Sequence, residues 1–356
     1  MASYVSKDYP QEYGGGVIQS LTASMLRSGL VEEVLAFTYG VDENDIVPFF
    51  ANSAEDAAKI IITSYQPYSL ARLLRDYVDK DEKIAIAVRS CDARAIVELA
   101  KRSQVNIDNI YMLGIECYGV ASASTAQGAL YISESRRLRS HDLPEGTVEA
   151  IILDHCLRCQ YPLPTMADIS CSFDKDATAI EVHTKKGEQI LAAASNLSPI
   201  EREIKRDIAA IEERARQQQE RDFGVLEDVT SDERLDYWFS QFDRCIKCYG
   251  CRNVCPLCFC KDCSLDARRA LIKGGEVPPE TLFHLTRLAH VADSCLNCGQ
   301  CEMVCPMEIP LSRVFHMLHK RLSSVFGYEP GMNIDDLPPM GAITEQELKS
   351  GALTLD

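Results

Sequence analysis

From Cys245 to Cys263 the chain reads CIKCYGCRNVCPLCFCKDC, seven cysteines in nineteen residues. The whole chain holds 16 cysteines in 356 residues. A disulfide framework needs an oxidising compartment. The N-terminus, MASYVSKDYPQEYGGG, has no basic start followed by an apolar core, so no secretory signal is visible. The chain is therefore expected to be cytoplasmic. Its reduced thiols, at regular spacing, point to metal.

Cys245, Cys248, Cys251 and Cys255, followed by Pro256, fit C-x2-C-x2-C-x3-C-P. Cys295, Cys298, Cys301 and Cys305, followed by Pro306, fit it again. In bacterial ferredoxins this spacing wraps three thiolates of one loop around a 4Fe-4S cube, and the fourth cysteine ligates the other cube. One cluster then takes Cys245, Cys248, Cys251 and Cys305. The second takes Cys295, Cys298, Cys301 and Cys255. Zinc sites use separated cysteine pairs, and two complete runs ending in Cys-Pro argue against them. Cys258, Cys260 and Cys263 either complete a further metal site or pack beneath the loop. Spacing leaves both readings open.

A net charge of −16 leaves no basic stripe to displace counterions from phosphates, so no nucleic-acid partner is expected. Apolar runs such as KIAIAV are strand-sized. None approaches the roughly 20 residues of a membrane span.

Residues 1–195 read as α/β. GGGVIQSLTASMLRSGLV is a glycine turn and a helix, and EEVLAFTYG is a strand. PYSLARLLRDYV and DARAIVELAKRS are helical, while KIAIAV and NIYMLGIE are buried strands. That alternation implies a largely parallel sheet. From TVEAIILDHC onward short strands are expected, with a hairpin over 180–191 turning at 185–187. Ser198-Pro199-Ile200-Glu201 has the form of a capping box opening a helix. Ile200, Ile204, Ile208, Ile211 and Ala215 mark one narrow apolar stripe on a highly charged helix, and residues 196–235 read as a solvated connecting helix without chemistry. Residues 236–325 carry the cysteine runs, and 326–356 form an extended tail expected to lie against a partner. His284 and His290 read as surface or interface residues.

The α/β half holds five more cysteines. Cys91 follows the strand KIAIAV and Cys117 follows NIYMLGIE. Ligands gather at the shared edge where parallel strands end. Cys156 and Cys159 form the loop CLRC. Together these four thiols could hold a third 4Fe-4S cube, or stand as unrelated core cysteines. Cys171 reads as buried packing. His155 either tunes that cube through a hydrogen bond or is simply exposed. No nucleophile or acid–base constellation is visible.

The segments YGGGVIQSLTASMLRSGLVEEVLAF, VRSCDARAIVELAKRSQVNIDNIYMLGIEC and CLRCQYPLPTMADIS resemble the beta subunit family of coenzyme F420-reducing hydrogenases and dehydrogenases. Within it, the chain is most similar to the formate dehydrogenase beta subunit. The two cysteine runs resemble that subunit as well. The resemblance implies an α/β flavin domain followed by a mostly helical, bacterial-type two 4Fe-4S ferredoxin-like domain. It implies cluster ligands at Cys91, Cys117, Cys156 and Cys159, and flavin contacts at Gly15 and Gly16, with a second around Ser64 and Tyr65. The chain departs from the family pattern at Gln19 and Thr22 and in the short stretch after ADIS.

The resemblance further implies a function. Electrons would pass between a partner's catalytic metal centre and coenzyme F420 through FAD and three 4Fe-4S clusters. The partner would be a molybdenum or tungsten formate dehydrogenase subunit, or a hydrogenase subunit. Two alternatives stand beside it. One is a relay without its own coenzyme site, feeding a larger complex such as heterodisulfide reductase. The other is a nicotinamide-linked flavoprotein.

Overall fold

The computed structural model describes residues 2–9, 15–42, 45–63, 65–66, 68–122, 148–173, 177–194, 196–201, 203–204, 208–266 and 280–342. Among them, eight strands form one sheet: β1 (Ala2–Ser6), β2 (Glu33–Tyr39), β3 (Ile46–Ala51), β4 (Ile84–Val88), β5 (Ile110–Ile115), β6 (Ile169–Phe173), β7 (Thr178–Val182) and β8 (Leu197–Ile200). Their order is β3-β2-β4-β5-β6-β7-β1-β8.

Only the centre is parallel, where β2 pairs β4, β4 pairs β5 and β5 pairs β6. The flanks are antiparallel. The expected largely parallel sheet is therefore a mixed one. Its reason is connection length: β2–β3 and β6–β7 are joined by short turns, which only antiparallel neighbours can use.

The central strands are buried along their whole length, as parallel strands covered on both faces must be. Ala85 and Ala87 face helix α1 (Gly15–Ser28) through Val17, Ile18 and Leu21. Beyond α1 lies the short α2 (Ala54–Ala57), capped by Ser53. Ile84, Ile86 and Val88 face the opposite way. They pack against α3 (Leu70–Tyr77) and α4 (Ser90–Lys101) through Leu70, Leu74, Ile96 and Leu99. Each fully buried side chain of this size contributes about 1.5–3 kcal/mol.

The cysteine-rich module has its own core of Trp238, Phe242, Phe283, Leu311 and Phe315. Leu257 and Leu296 join the sheet's α3–α4 side instead. Polar contacts reinforce that seam. Arg75 donates to the carbonyls of Pro256 at 2.9 Å and Cys258 at 3.2 Å, and Arg102 donates to Ser294 Oγ at 2.9 Å.

Several expectations are corrected. Residues 180–191 are not a hairpin: β7 ends at Val182 and a helix runs over Lys185–Ala193, capped by Thr184. Residues 148–157 form two short helices, Val148–Ile151 and Asp154–Leu157, with a single bridge from Ala121 to Ile152. Ser198 and Pro199 lie in β8, paired with Val5 and Tyr4. Proline is tolerated there because β8 is an edge strand. The long helix starts later, over Ile208–Glu227, and it is not a solvated spacer, since Ile211, Ala215, Phe223 and Leu226 are buried. His284 is buried, stacked on Phe242 at 4.6 Å, whereas His290 is exposed.

The tail folds back on its own chain. Gly331 N and Tyr328 Oη donate to Glu98, and Arg94 donates to the Pro330 carbonyl at 2.8 Å and pairs with Glu329 at 2.6 Å.

Candidate iron–sulfur centres

The two cysteine runs share one backbone solution. Lys247 and Asn297, just before Cys248 and Cys298, both have φ 55. Tyr249 and Gly299, just after them, have φ 61 and φ 71. Each central thiol is thus flanked by two left-handed residues, and each loop enters a short helix, Gly250–Val254 or Gln300–Met303. Left-handed non-glycine residues cost about 1–3 kcal/mol each and cluster where a ligand demands them. The strain turns backbone N–H groups onto sulfur. Lys247 N lies 3.4 Å from Cys245 Sγ, and Asn297 N donates to the Cys295 thiol.

Three cavities follow. Cys245, Cys248, Cys251 and Cys305 line the first, together with Pro306. Cys255, Cys295, Cys298 and Cys301 line the second. Each of these two cavities is thus lined by three thiols of one run and the fourth of the other. Cys91, Cys117, Cys156 and Cys159 line the third, at the end of the parallel strands, with Cys91 in the first turn of α4 and Cys117 just past β5. Cys298, Leu296, Asn297 and Gln300 line both the second and third cavities. The two therefore adjoin.

The thiols surround space and do not converge on a point. Among the described residues, no three His, Cys, Asp or Glu side chains are grouped to hold a single metal ion. Four thiols around one cavity are the donor set of a 4Fe-4S cube. Burial pushes the Cys156 and Cys298 thiols up to about 12 and raises Cys91, Cys159, Cys251, Cys295 and Cys301 as well. Metal binding must then displace their protons.

Idle donors also face these cavities. Ser90 Oγ, buried on the wall of the third, has no partner among the described residues. Arg287 Nε and Nη1, on the wall of the second, have none either. Sulfide or thiolate acceptors would satisfy them.

His155 is buried, 4% exposed, contrary to the exposed alternative. Its ring packs against Gly299, where a Cβ would lie 2.1 Å from it, and its carbonyl accepts from Asn297 Nδ2 at 3.0 Å. Burial, with Arg158 and Arg89 nearby, lowers its pKa to about 3, so it is neutral at ordinary pH.

The wall of the third cavity includes residues that spacing did not flag. Arg89 donates to the carbonyls of Gln66 and Tyr68 and pairs with Asp92 at 3.3 Å. Ile211 and Arg214 come from the long helix that was read as having no chemistry, and Arg214 holds the Tyr118 carbonyl at 3.2 Å. Ile211 belongs to the apolar stripe of that helix, and the stripe is the signal in the sequence that this face is covered. The Cys258 thiol is hydrogen-bonded to that of Cys255 and, with Cys263, packs against the module's core. Cys260 is exposed, and Cys171 is fully buried in the sheet.

The flavin contacts are less assembled. Gly15 and Gly16 are buried at the start of α1, whose first turn carries no acid. A Cβ on Gly15 would meet nothing within 4 Å. That open helix start fits an anionic group. Tyr65 is half-buried and its neighbour Gln66 lines the third cavity, but Gly15, Gly16 and Tyr65 line none of the three. Ser64 lies outside the described residues.

A mixed α/β sheet joined to paired C-x2-C-x2-C-x3-C-P loops defines an iron–sulfur electron carrier. Residues 241–309 match the 4Fe-4S dicluster domain, and residues 81–205 match the C terminus of the coenzyme F420 hydrogenase/dehydrogenase beta subunit. The chain is 32% identical to the F420-dependent formate dehydrogenase subunit beta of Methanocaldococcus jannaschii, over 92% of this chain and 94% of that protein. It is 34% identical to F420-dependent formate dehydrogenase 1 subunit beta of Methanococcus maripaludis, over 91% and 92%. The chain belongs to the coenzyme F420 hydrogenase/dehydrogenase beta subunit family, a family of oxidoreductase subunits. Its fold also resembles a chain of the F420-reducing [NiFe] hydrogenase complex from Methanosarcina barkeri, with TM-score 0.50 at 16% identity, covering 64% of this chain and 90% of that one. No helix among the described residues is long and apolar enough to cross a membrane.

Proposed function

We propose that this chain is the beta subunit of a formate dehydrogenase that reduces coenzyme F420. It carries electrons between a catalytic molybdenum or tungsten subunit and the coenzyme, through FAD and three 4Fe-4S clusters. The ligand sets are Cys245, Cys248, Cys251 and Cys305; Cys255, Cys295, Cys298 and Cys301; and Cys91, Cys117, Cys156 and Cys159. The observation that carries the reading is the sharing of Leu296, Asn297 and Cys298 by the second and third cavities. That sharing supports a single series running from the ferredoxin module to the strand-end site.

Cubes exchange single electrons and the deazaflavin accepts a hydride, and a bound flavin supplies the conversion between the two. The chain's own residues hold and insulate. Leu296 and Ile211 keep water from the strand-end thiols, and the buried Arg89 places a fixed positive charge beside them. Asn297 and Lys247 orient amides toward thiolate sulfur. The N-terminus of α1, with Gly15 and Gly16, would take the flavin's diphosphate, and Tyr65 would be a second flavin contact.

The test is anaerobic purification followed by metal and flavin analysis. About twelve irons per chain and one FAD are expected. About eight irons would remove the strand-end cluster. Full iron without FAD would leave only a relay, and reduction of nicotinamide in preference to F420 would replace the coenzyme.

A further inference from the structure

Arg287 sits on the helix Glu280–Val291, between the two ferredoxin-type cavities. It is 2% exposed. Its Nη2 donates to the carbonyl of Cys251, a residue of the first cavity, at 3.1 Å. Its guanidinium lies 5.3 Å from the centroid of Phe315 and against the Cys258 thiol. Nε and Nη1 are buried with no partner among the described residues, and the side chain lines the second cavity.

An arginine cannot shed its charge in a protein. A buried charge is ordinarily paired, because desolvation is costly. Among the described residues no carboxylate pairs with Arg287. The groups that face it are thiols, those of Cys251, Cys258, Cys301 and Cys255, which carry negative charge only when a metal has displaced their protons. The second cavity therefore needs an anion with acceptors at its wall. A cube bound by four thiolates is an anion in both redox states. It gains one further negative charge when it accepts an electron, and no bond is made or broken.

We infer that Arg287 is a positioning residue for that cube: its idle N–H groups bond to cluster sulfur in the cavity of Cys255, Cys295, Cys298 and Cys301, and its charge raises the potential there. The inference rests on the proposed ligand set. Hydrogen bonds to sulfur and a nearby cation stabilise the reduced state more than the oxidised one. The Cys251 thiol of the first cavity also faces Arg287, so the charge acts on both cubes, while the idle N–H groups open onto the second alone. The hydrogen bonds fall on the site that adjoins the strand-end cavity. Electrons arriving from the first site are thereby held next to the third.

The test uses the anaerobic holoprotein. Iron is counted first, and then each cube is titrated by EPR against a poised potential. In Arg287→Gln with full iron, the reduced-to-oxidised ratio of the second cube at fixed potential should fall at least tenfold. For one electron that is about 59 mV. Arg287→Lys, which keeps the charge, should fall less. Full iron with an unmoved potential in Arg287→Gln overturns the inference and spares the ligand set. Absence of the second cube from the wild type overturns both.

Should Arg287→Gln lose its iron, the wild type still decides. With 15N-arginine, pulsed EPR of the reduced second cube should show a nitrogen coupling that Arg287→Lys removes. No such coupling, or one that survives in Arg287→Lys, sinks the idea.

Discussion

Cys305 ends one cysteine run and lines the cavity of the other, and Cys255 does the reverse. The spacing carries the expectation of crossing, since in two-cluster ferredoxins of this pattern the fourth cysteine ligates the other cube. It makes a sharp prediction. Cys305→Ser should remove or degrade the cube of Cys245, Cys248 and Cys251, and leave that of Cys295, Cys298 and Cys301 intact. Cys255→Ser should do the opposite. Each variant loses up to about four irons. EPR of the remaining cube decides, since its signal should match one component of the wild-type spectrum. An undisturbed Cys245 cube in Cys305→Ser would refute the crossed assignment. Other residues were not legible. Two histidines six apart say nothing about burial, and His284 is 1% exposed because Phe242 and Phe283 close over it. Arg287 carried no motif at all. Its meaning depends on which carboxylates are absent around it, and that is a tertiary fact.

At the scale of elements, long periodic segments were readable and short ones were not. β4, β5, α1 and α4 stand where their apolar spacing put them. The helix Lys185–Ala193 was misread because KKG looks like a turn. In the fold, Gly187 lies against the Asp168 carbonyl, where a Cβ would stand 2.2 Å from the oxygen. The glycine marks close approach within a helix, and Thr184 accepts its N–H at 3.2 Å as the cap. Ser198-Pro199 was misread because pairing with β1 outweighs a local capping pattern. The tail shows the same override. Its turn at Tyr328–Gly331 is fixed by Glu98, a fully buried carboxylate of α4 that also pairs with Lys101 and Arg102. Gly331 has φ 72, and an added Cβ would lie 2.3 Å from the Arg94 carbonyl. Gly331→Ala should therefore detach the tail and destabilise the protein by about 1–3 kcal/mol. Thermal unfolding measures the loss, and new proteolysis beyond Gly327 reports the release. A tail that stays protected would show that Glu98 is not its anchor.

For the whole molecule, the sequence separated a sheet domain from a ferredoxin module but did not say how they meet. Leu257 and Leu296 leave the module's core for the sheet's, and Asn297 binds the His155 carbonyl. These contacts press one cysteine loop against the strand ends and leave the other facing outward. Cys248 is exposed, while Cys298 shares its cavity with Cys91 and Cys117. The second and third cavities meet at Leu296, Asn297, Cys298 and Gln300, and of these Cys298 is the cysteine. Cys298→Ser should then act unequally on two reactions of the intact complex. In the proposed series, formate-driven reduction of F420 crosses that point. Exchange between reduced F420 and an artificial dye acting at the flavin need not. The first should fall at least about tenfold more than the second, read as the ratio of the two kcat/KM losses. Iron analysis shows whether the strand-end cube persists, which keeps a general collapse from imitating the result. Equal losses in a folded variant that retains its strand-end iron would mean that electrons reach the flavin by another path, and the serial arrangement would have to be abandoned.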